Sequence, residues 1–207
     1  MSIYLNNGDK ASTIHEADGA YGTYYLATNP KTFEIQRSNN FMFYVPFPED
    51  FFSQDADFQA LNNQAFANAS QFLMLSVDQS FVPHFKNDTI QLKRGNNTMK
   101  FAGVPTFESG TAEFTDFIGA GTKDILMAWQ RKVYDVKTEK VGLASDYKTT
   151  AYLVEKTPDY QTVRTWVLEG CWISSLSEDP YNHESNDKHG ISCTFEYDKA
   201  YIDTRSI

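Results

Sequence analysis

Four segments between Gly121 and Ile202 decide the fold: TKDILMAWQRKV (Thr122–Val133), YKTTAYLV (Tyr147–Val154), VRTWVLEGCWI (Val163–Ile173) and ISCTFEYDKAYI (Ile191–Ile202). In the first, Ile125, Leu126, Trp129 and Val133 recur at helical spacing and give the helix one apolar face. Thr122 is the expected N-cap. Asp124 falls in the first turn, where a negative charge suits the helix dipole. The other three segments are rich in β-branched and aromatic residues and read as strands. The order is a helix, then three strands, with few groups suited to catalysis.

Working outward, the upstream chain reads as further short strands. Phe41, Phe43, Val45 and Phe47 alternate, and Pro46, which has no amide hydrogen, belongs at a strand end or sheet edge. Phe72–Val77 reads as the next strand, followed by Phe81-Val82-Pro83. Thr89–Arg94 and Thr98–Ala102 alternate on either side of a Gly95-Asn96-Asn97 turn, which is a hairpin signal. Thr106-Phe107-Glu108 and Thr111–Ile118 come next, with Ala112, Phe114 and Asp116 on one face.

Residues 1–32 form a polar arm, and residues 33–207 form the main domain. An insertion at residues 48–71 carries a short helix with Ser53 as cap and Phe58, Leu61 and Ala65 on one face. The expected class is mainly β, with seven or eight strands: an antiparallel β-sandwich or partial barrel with one packed α-helix.

With 207 residues the chain suits one domain large enough to bury a core. Eighteen basic against 27 acidic residues give a net charge of −9 and no basic patch, which argues against a protein that grips nucleic acid by its phosphates. No apolar run reaches the length of a membrane span, and the N-terminus lacks a basic-then-apolar signal. The expectation is a protein made in the cytoplasm of its host cell, with no membrane partner. Cys171 and Cys193 are expected as free, buried thiols, a bridge between neighbouring strands being the alternative.

Candidate chemistry is thin. His183, His189 and Cys193 match no compact zinc spacing, and 179–190 reads more simply as a polar loop. There is no Gly-x-Ser-x-Gly motif and no phosphate-binding glycine loop. Pairs such as Glu49/Asp50 and Asp55/Asp57 read as solvated surface. No cofactor, metal or catalytic residue is expected, and the protein reads as a non-enzyme.

The segments resemble the tail tube proteins of long-tailed, contractile bacteriophages over residues 33 to 202. The resemblance lies in the Arg37-Ser38-Asn39-Asn40-Phe41 entry, Ser80-Phe81-Val82-Pro83, and the hairpin from Ile90 to Gly103. It continues in the Trp129 helix followed by Asp146–Ala151, in Trp166 to Gly170-Cys171-Trp172, and in an aromatic-rich last strand from Cys193 to Tyr201. Ile173 departs from the family, which tends to have proline there; the insertion and the arm are further departures. They leave open a baseplate protein that initiates the tube, or a secretion-system tube ring.

The resemblance implies subunits in stacked homo-hexameric rings, their strands closing an oligomeric β-barrel tube. Viral DNA passes through it during ejection without specific binding. Sheath, tape measure and baseplate proteins would be further partners in the virion tail, assembled in the host cytoplasm. The hairpin tip, Lys93, Arg94, Gly95, Asn96 and Asn97, is expected to contact the next ring. An acidic channel wall is expected from Glu34, Asp78, Glu108, Glu113 and Asp116, each in or beside a predicted strand. A different class, a monomeric carbohydrate-binding β-sandwich module, also accounts for the aromatic residues. A small hydrolase ranks behind both, for want of a catalytic set.

Overall fold

The computed structural model describes residues 34–48, 50–52, 68–119, 121–184 and 186–205. The chain divides into two compact units, Met1–Arg37 and Ser38–Ile207. Of the first, residues 34–37 are described, and they are exposed and outside regular structure. The expected N-terminal arm and the insertion helix with Phe58, Leu61 and Ala65 lie outside the described residues.

In the second unit the elements run β1 (Phe41–Tyr44), α1 (Ala69–Ser76), β2 (Val77–Gln79), β3 (Phe85–Arg94), β4 (Asn97–Phe107), β5 (Gly110–Thr115) and α2 (Thr122–Val133). They continue with β6 (Tyr134–Asp135), β7 (Lys140–Val141), α3 (Ala144–Tyr147), β8 (Thr149–Lys156), β9 (Thr162–Glu178), β10 (Gly190–Glu196) and β11 (Lys199–Arg205). A seven-stranded antiparallel sheet follows the order β1-β8-β9-β10-β5-β2, with β11 also on β9. Its long member β9 serves both halves. Residues 162–171 pair with β8 and residues 164–169 with β11, while residues 172–178 pair with β10.

The change of partner falls at Gly170, whose φ of 67° suits glycine, and the Asp198 side chain occupies the space a Cβ would need. The sheet thus bends into two facing halves. Phe43 from one half meets Phe195 from the other with ring centroids 5.4 Å apart. Ala151, Leu153 and Leu168 on one side, and Ala112, Phe114, Ile173, Ile191 and Cys193 on the other, fill the space between with alternating inward side chains.

Helix α2 seals this core with the apolar face that its spacing predicts. Ile125, Leu126, Ala128 and Trp129 are buried. Trp129 stands edge-on to Phe47, and its indole N–H donates to the Tyr147 carbonyl at 2.8 Å, so the buried ring leaves no polar atom unpaired. Asp124 lies in the first turn and Arg131 and Lys132 in the last, each matching the helix dipole. The expected cap is corrected. Gly121, at φ 61°, holds the N-cap position, and Thr122 is buried inside the helix with its hydroxyl 2.7 Å from that of Ser76. A buried hydroxyl needs a partner more than a helix end open to water needs a cap.

Three strand expectations are also corrected. Phe72–Val77 is mostly helix α1, not strand. Its consecutive apolar residues carry no period, and the buried set Ala69, Leu73 and Ser76 has helical spacing. The segment expected as one last strand breaks at Tyr197-Asp198 into β10 and β11, which lie in different halves of the sheet. Eleven strands stand among the described residues, because the short β2, β6, β7 and the split last strand add to the seven or eight anticipated. Pro46 follows β1, the edge strand of its half, as its missing donor requires.

Cys171 and Cys193 are buried and free, and burial pushes both thiols up, that of Cys193 to about 12. Cys193 faces Leu176 and Ala112 across the ladders, and Cys171 faces Thr149.

Candidate assembly surfaces

Strands β3 and β4 pair only with each other among the described residues. The turn between them is two residues, Gly95-Asn96, with Arg94 opposite Asn97. Gly95 takes φ 59° and Asn96 does not turn positive, the pattern of a type II′ hairpin, whose first central position calls for glycine. Above a register shift at Asp88 the two faces differ. Ile90, Leu92, Met99 and Phe101 lie on one, ending in Arg94 and Asn97. Thr89, Gln91, Lys93, Thr98, Lys100 and Ala102 lie on the other. The apolar side chains are 41–59% exposed, so this face has no cover within the described residues. The expected contact residues, Lys93, Arg94, Gly95, Asn96 and Asn97, all sit exposed at the tip.

The ribbon is anchored at its base. Phe85 and Phe107 rings lie 5.7 Å apart, Phe107 meets Tyr197, and Tyr197 stacks on Phe81. His84 and Glu108 are 2.8 Å apart there. The Glu108 carboxylate, and then the Val82 carbonyl, raise the His84 pKa. The ribbon also departs from the chain's acidity. Residues 85–107 hold Lys86, Lys93, Arg94 and Lys100 against Asp88, a charge of +3, so the remainder of the −9 chain carries −12.

A second exposed surface has opposite chemistry. It is the outer face of the half-sheet made by β2, β5, β10 and residues 172–178 of β9. Ala112, Phe114, Ile191, Cys193 and Phe195 point inward, so Thr111, Glu113, Thr115, Ser192, Thr194 and Glu196 point out, beside Ser175 and Ser177. Neither β5, β10 nor residues 172–178 contains a lysine or arginine. Apart from Trp172, opposite Glu196 at the corner end, the face is hydroxyls and carboxylates.

Of the five carboxylates expected on a channel wall, the structure brings two to this face. Glu113 stands on it, with no cationic partner among the described residues. Asp78 lies at its β2 edge, where Lys188 at 2.5 Å and the Thr115 hydroxyl hold its pKa below the usual range. Glu108 is engaged with His84 at the ribbon base. Asp116 is half-buried beyond β5, where its N–H donates to the His189 carbonyl. Glu34 is exposed in the first unit. Sequence reasoning overlooked Glu196, although the alternation of Ile191, Cys193 and Phe195 was the signal that turns it outward.

No group of His, Cys, Asp or Glu among the described residues is placed to hold a metal, and no helix among them is long and apolar enough to cross a membrane. His189 stacks on Tyr181 at 4.7 Å, His183 is exposed, and Cys193 is in the core.

No protein-family model matches the sequence, and no curated protein matches it. Solved structures do. The tube-terminating cap of the anti-feeding prophage AFP superposes with a TM-score of 0.55 at 14% identity, over 82% of this chain and 91% of its own. A chain in the sheath/tube terminator of PVC, an extracellular contractile injection system, gives 0.55 at 16% identity, over 82% and 97%. A chain in the PVC sheath–tube complex gives 0.56 at 14% identity, over 87% and 97%. These neighbours are tube, sheath and terminator components, and at such identities the likeness is one of fold. The chain therefore has the fold found in tube and tube-terminator components of phage-like contractile injection systems, as its resemblance to tail tube proteins led us to expect.

Proposed function

We propose that the chain is a structural subunit of an injection tube, whose copies close into hexameric rings that stack around a channel. The observation that carries this reading is the β3–β4 ribbon. A two-stranded ribbon is marginal in water, and in this one Ile90, Leu92, Met99 and Phe101 are about half exposed, with no covering layer among the described residues. Docking on another copy removes that surface from water and supplies the missing layer. The tip, Lys93 to Asn97, contacts the next ring, and its positive charge meets an otherwise acidic body. Sheath, tape measure and baseplate proteins are the further partners of such a tube.

The hydroxyl and carboxylate stretch of this face from Thr111 to Thr115 and from Ser192 to Thr194 suits the channel wall, with Glu113 as its charge and Asp78 at its edge; Glu196, at the corner end, lies outside that wall. An inward lysine or arginine would hold a phosphate and release counterions, so a wall without them lets DNA slide during ejection. Six copies would carry 6 × −9 = −54 in all. The edge of β9 beyond Gly170, unpaired among the described residues, and the short β2 at the other edge offer backbone for closing one subunit's sheet onto the next.

A second reading, a terminator at the end of a tube, is favoured by the likeness to the AFP cap and the PVC terminator. Negative-stain microscopy and native mass measurement separate the two. Open-ended tubes of the purified chain support the tube subunit, and single rings that never stack support the terminator. A strictly monomeric chain at high micromolar concentration, even with a tube nucleus added, overturns both. Reversing charge at Lys93 and Arg94 is expected to weaken stacking more than ring closure and to reverse the sign of its salt dependence, since salt then screens repulsion.

A further inference from the structure

An open cleft of about 380 Å³ lies at the corner where β9 leaves one half of the sheet for the other. Tyr147, Lys148, Trp172, Ser174, Glu196 and Asp198 line it. Lys148 is already committed, since its ammonium donates to both Asp198 oxygens at 2.7 and 2.8 Å. The Tyr147 and Trp172 rings meet edge to face, 5.7 Å between centroids, and form an aromatic wall. Glu196 is half-buried and has no cationic partner among the described residues. A carboxylate beside aromatic rings is a receptor for a guanidinium, which bonds the first in a planar fork and stacks on the second.

We propose that this cleft receives the ribbon tip of a second copy of the chain, with Arg94 set against Glu196 and Trp172. The proposal rests on the assembly reading above and names the contact that reading leaves open. Arg94 sits at the tip, exposed and without a carboxylate partner among the described residues, on the ribbon face that also bears Ile90 and Leu92. Lys93 points to the other face, so one of the two tip cations enters.

A subunit's own ribbon tip does not reach its cleft. Tyr197 borders the cleft and packs on Phe107 at the ribbon base, with centroids 6.0 Å apart. The tip lies some ten residues further out, about 30 Å at the rise of an extended strand. A contact between the tip of one copy and the base of another is head to tail, the kind that closes a ring or propagates a stack. The two charges also suit each other: neither has an opposite charge among the described residues of its own chain, and each would gain one between two copies.

Two experiments on the full chain test this. In the first, Arg94→Glu and Glu196→Arg are made singly and together, and assembly is followed by sedimentation. Each single change is expected to raise the concentration needed for assembly about tenfold or more, the size of a lost close charge pair, and the combination to recover most of that loss. In the second, a preparation carrying Asn96→Cys is mixed with one carrying Ser174→Cys under mild oxidation. A covalent dimer specific to the mixture is expected, and adding Arg94→Glu to the first partner should remove it.

The proposal is overturned if the mixture cross-links no more than its separate components, or if the charge swap is no better than the single changes. Normal tubes without the cross-link sink this contact and leave the assembly reading intact. A mixture-specific cross-link in a protein that forms neither rings nor tubes establishes the contact and sinks that reading instead.

Discussion

The ribbon of β3 and β4 and the paired strands β5 and β10 come from the same kind of sequence and end in opposite surroundings. Ile90 and Leu92 alternate along the ribbon as regularly as Ala112 and Phe114 do along β5. Yet Ala112, Phe114, Cys193 and Phe195 are fully buried, whereas the ribbon's apolar residues keep about half their surface. Alternation states that one face is apolar; it does not provide a layer to cover it. For β5 and β10 the layer is Phe43 and Trp129 from distant segments, both against Phe195. For the ribbon no such layer stands among the described residues, and in the assembly we propose another copy supplies it. The polar faces differ in the same way, cationic on the ribbon, hydroxyl and carboxylate on the sheet.

The comparison is most strongly tested in the core. Phe195→Ala removes a ring that touches Phe43, Phe81, Phe114 and Trp129. The expected loss is about 3–5 kcal/mol, read from urea unfolding of the unassembled chain. A loss below about 1 kcal/mol would mean that the half-sheets are not packed as described.

Gly170→Ala comes next. The residue sits at φ 67°, and a Cβ there lies 2.2 Å from an Asp198 oxygen. A cost of about 1–3 kcal/mol is expected from the strained backbone alone. Adding Asp198→Ala should recover part of it, and strict additivity in that double-mutant cycle would show that the close approach is unimportant.

The ribbon should behave in the opposite sense. Ile90→Ser with Phe101→Ser is expected to change unfolding stability by no more than about 1 kcal/mol, as at other exposed positions, while assembly is lost. Should stability fall as far as it does for Phe195→Ala, the ribbon is covered within the single chain and the contrast fails.

The smallest effect is a pair of pH dependences of opposite sign. His84 has a folded pKa raised by Glu108, so its contribution to the ribbon base is complete below the unfolded value of about 6.5. It is lost as pH rises through the folded value. At the sheet edge, Asp78 and Glu178 have folded pKa values lowered, chiefly by Lys188 and Lys123 respectively. Their contribution is complete above the unfolded values, about 4, and is lost as pH falls through the folded ones. Amide exchange should therefore speed up at His84 to Glu108 on the alkaline side of 6.5, and in the Asp179–His189 loop only below about 4. Exchange that quickens in both regions at the same end of the scale would contradict these assignments.

Much of this could be read from residue order. The spacing of Ile125, Leu126 and Trp129 located α2 and its buried face, and β-branched alternation located β1, β5, β8, most of β9 and the hairpin with its glycine turn. These signals are local, set by the 3.6 and 2-residue periods of backbone geometry. The readings that failed were those in which periods compete or stop. Phe72-Leu73-Met74-Leu75 has no period, and its helix exists because Leu73 and Ala69 are covered by the body of the protein. Tyr197-Asp198 looks like any strand interior, and the chain turns there because Asp198 fits against Gly170 and pairs with Lys148, 50 residues away.

The charge excess, the mainly β class, the absence of a catalytic motif and the resemblance to tail tubes were settled by composition and order alone. Which carboxylates share a face, that Asp78 is neutralised by Lys188 while Glu113 meets no cation among the described residues, and that none of those residues covers the ribbon were decided by the folded arrangement. The physical reason is that a side chain's direction follows from its neighbours in sequence, whereas its burial and its electrostatic partners are supplied by residues far along the chain.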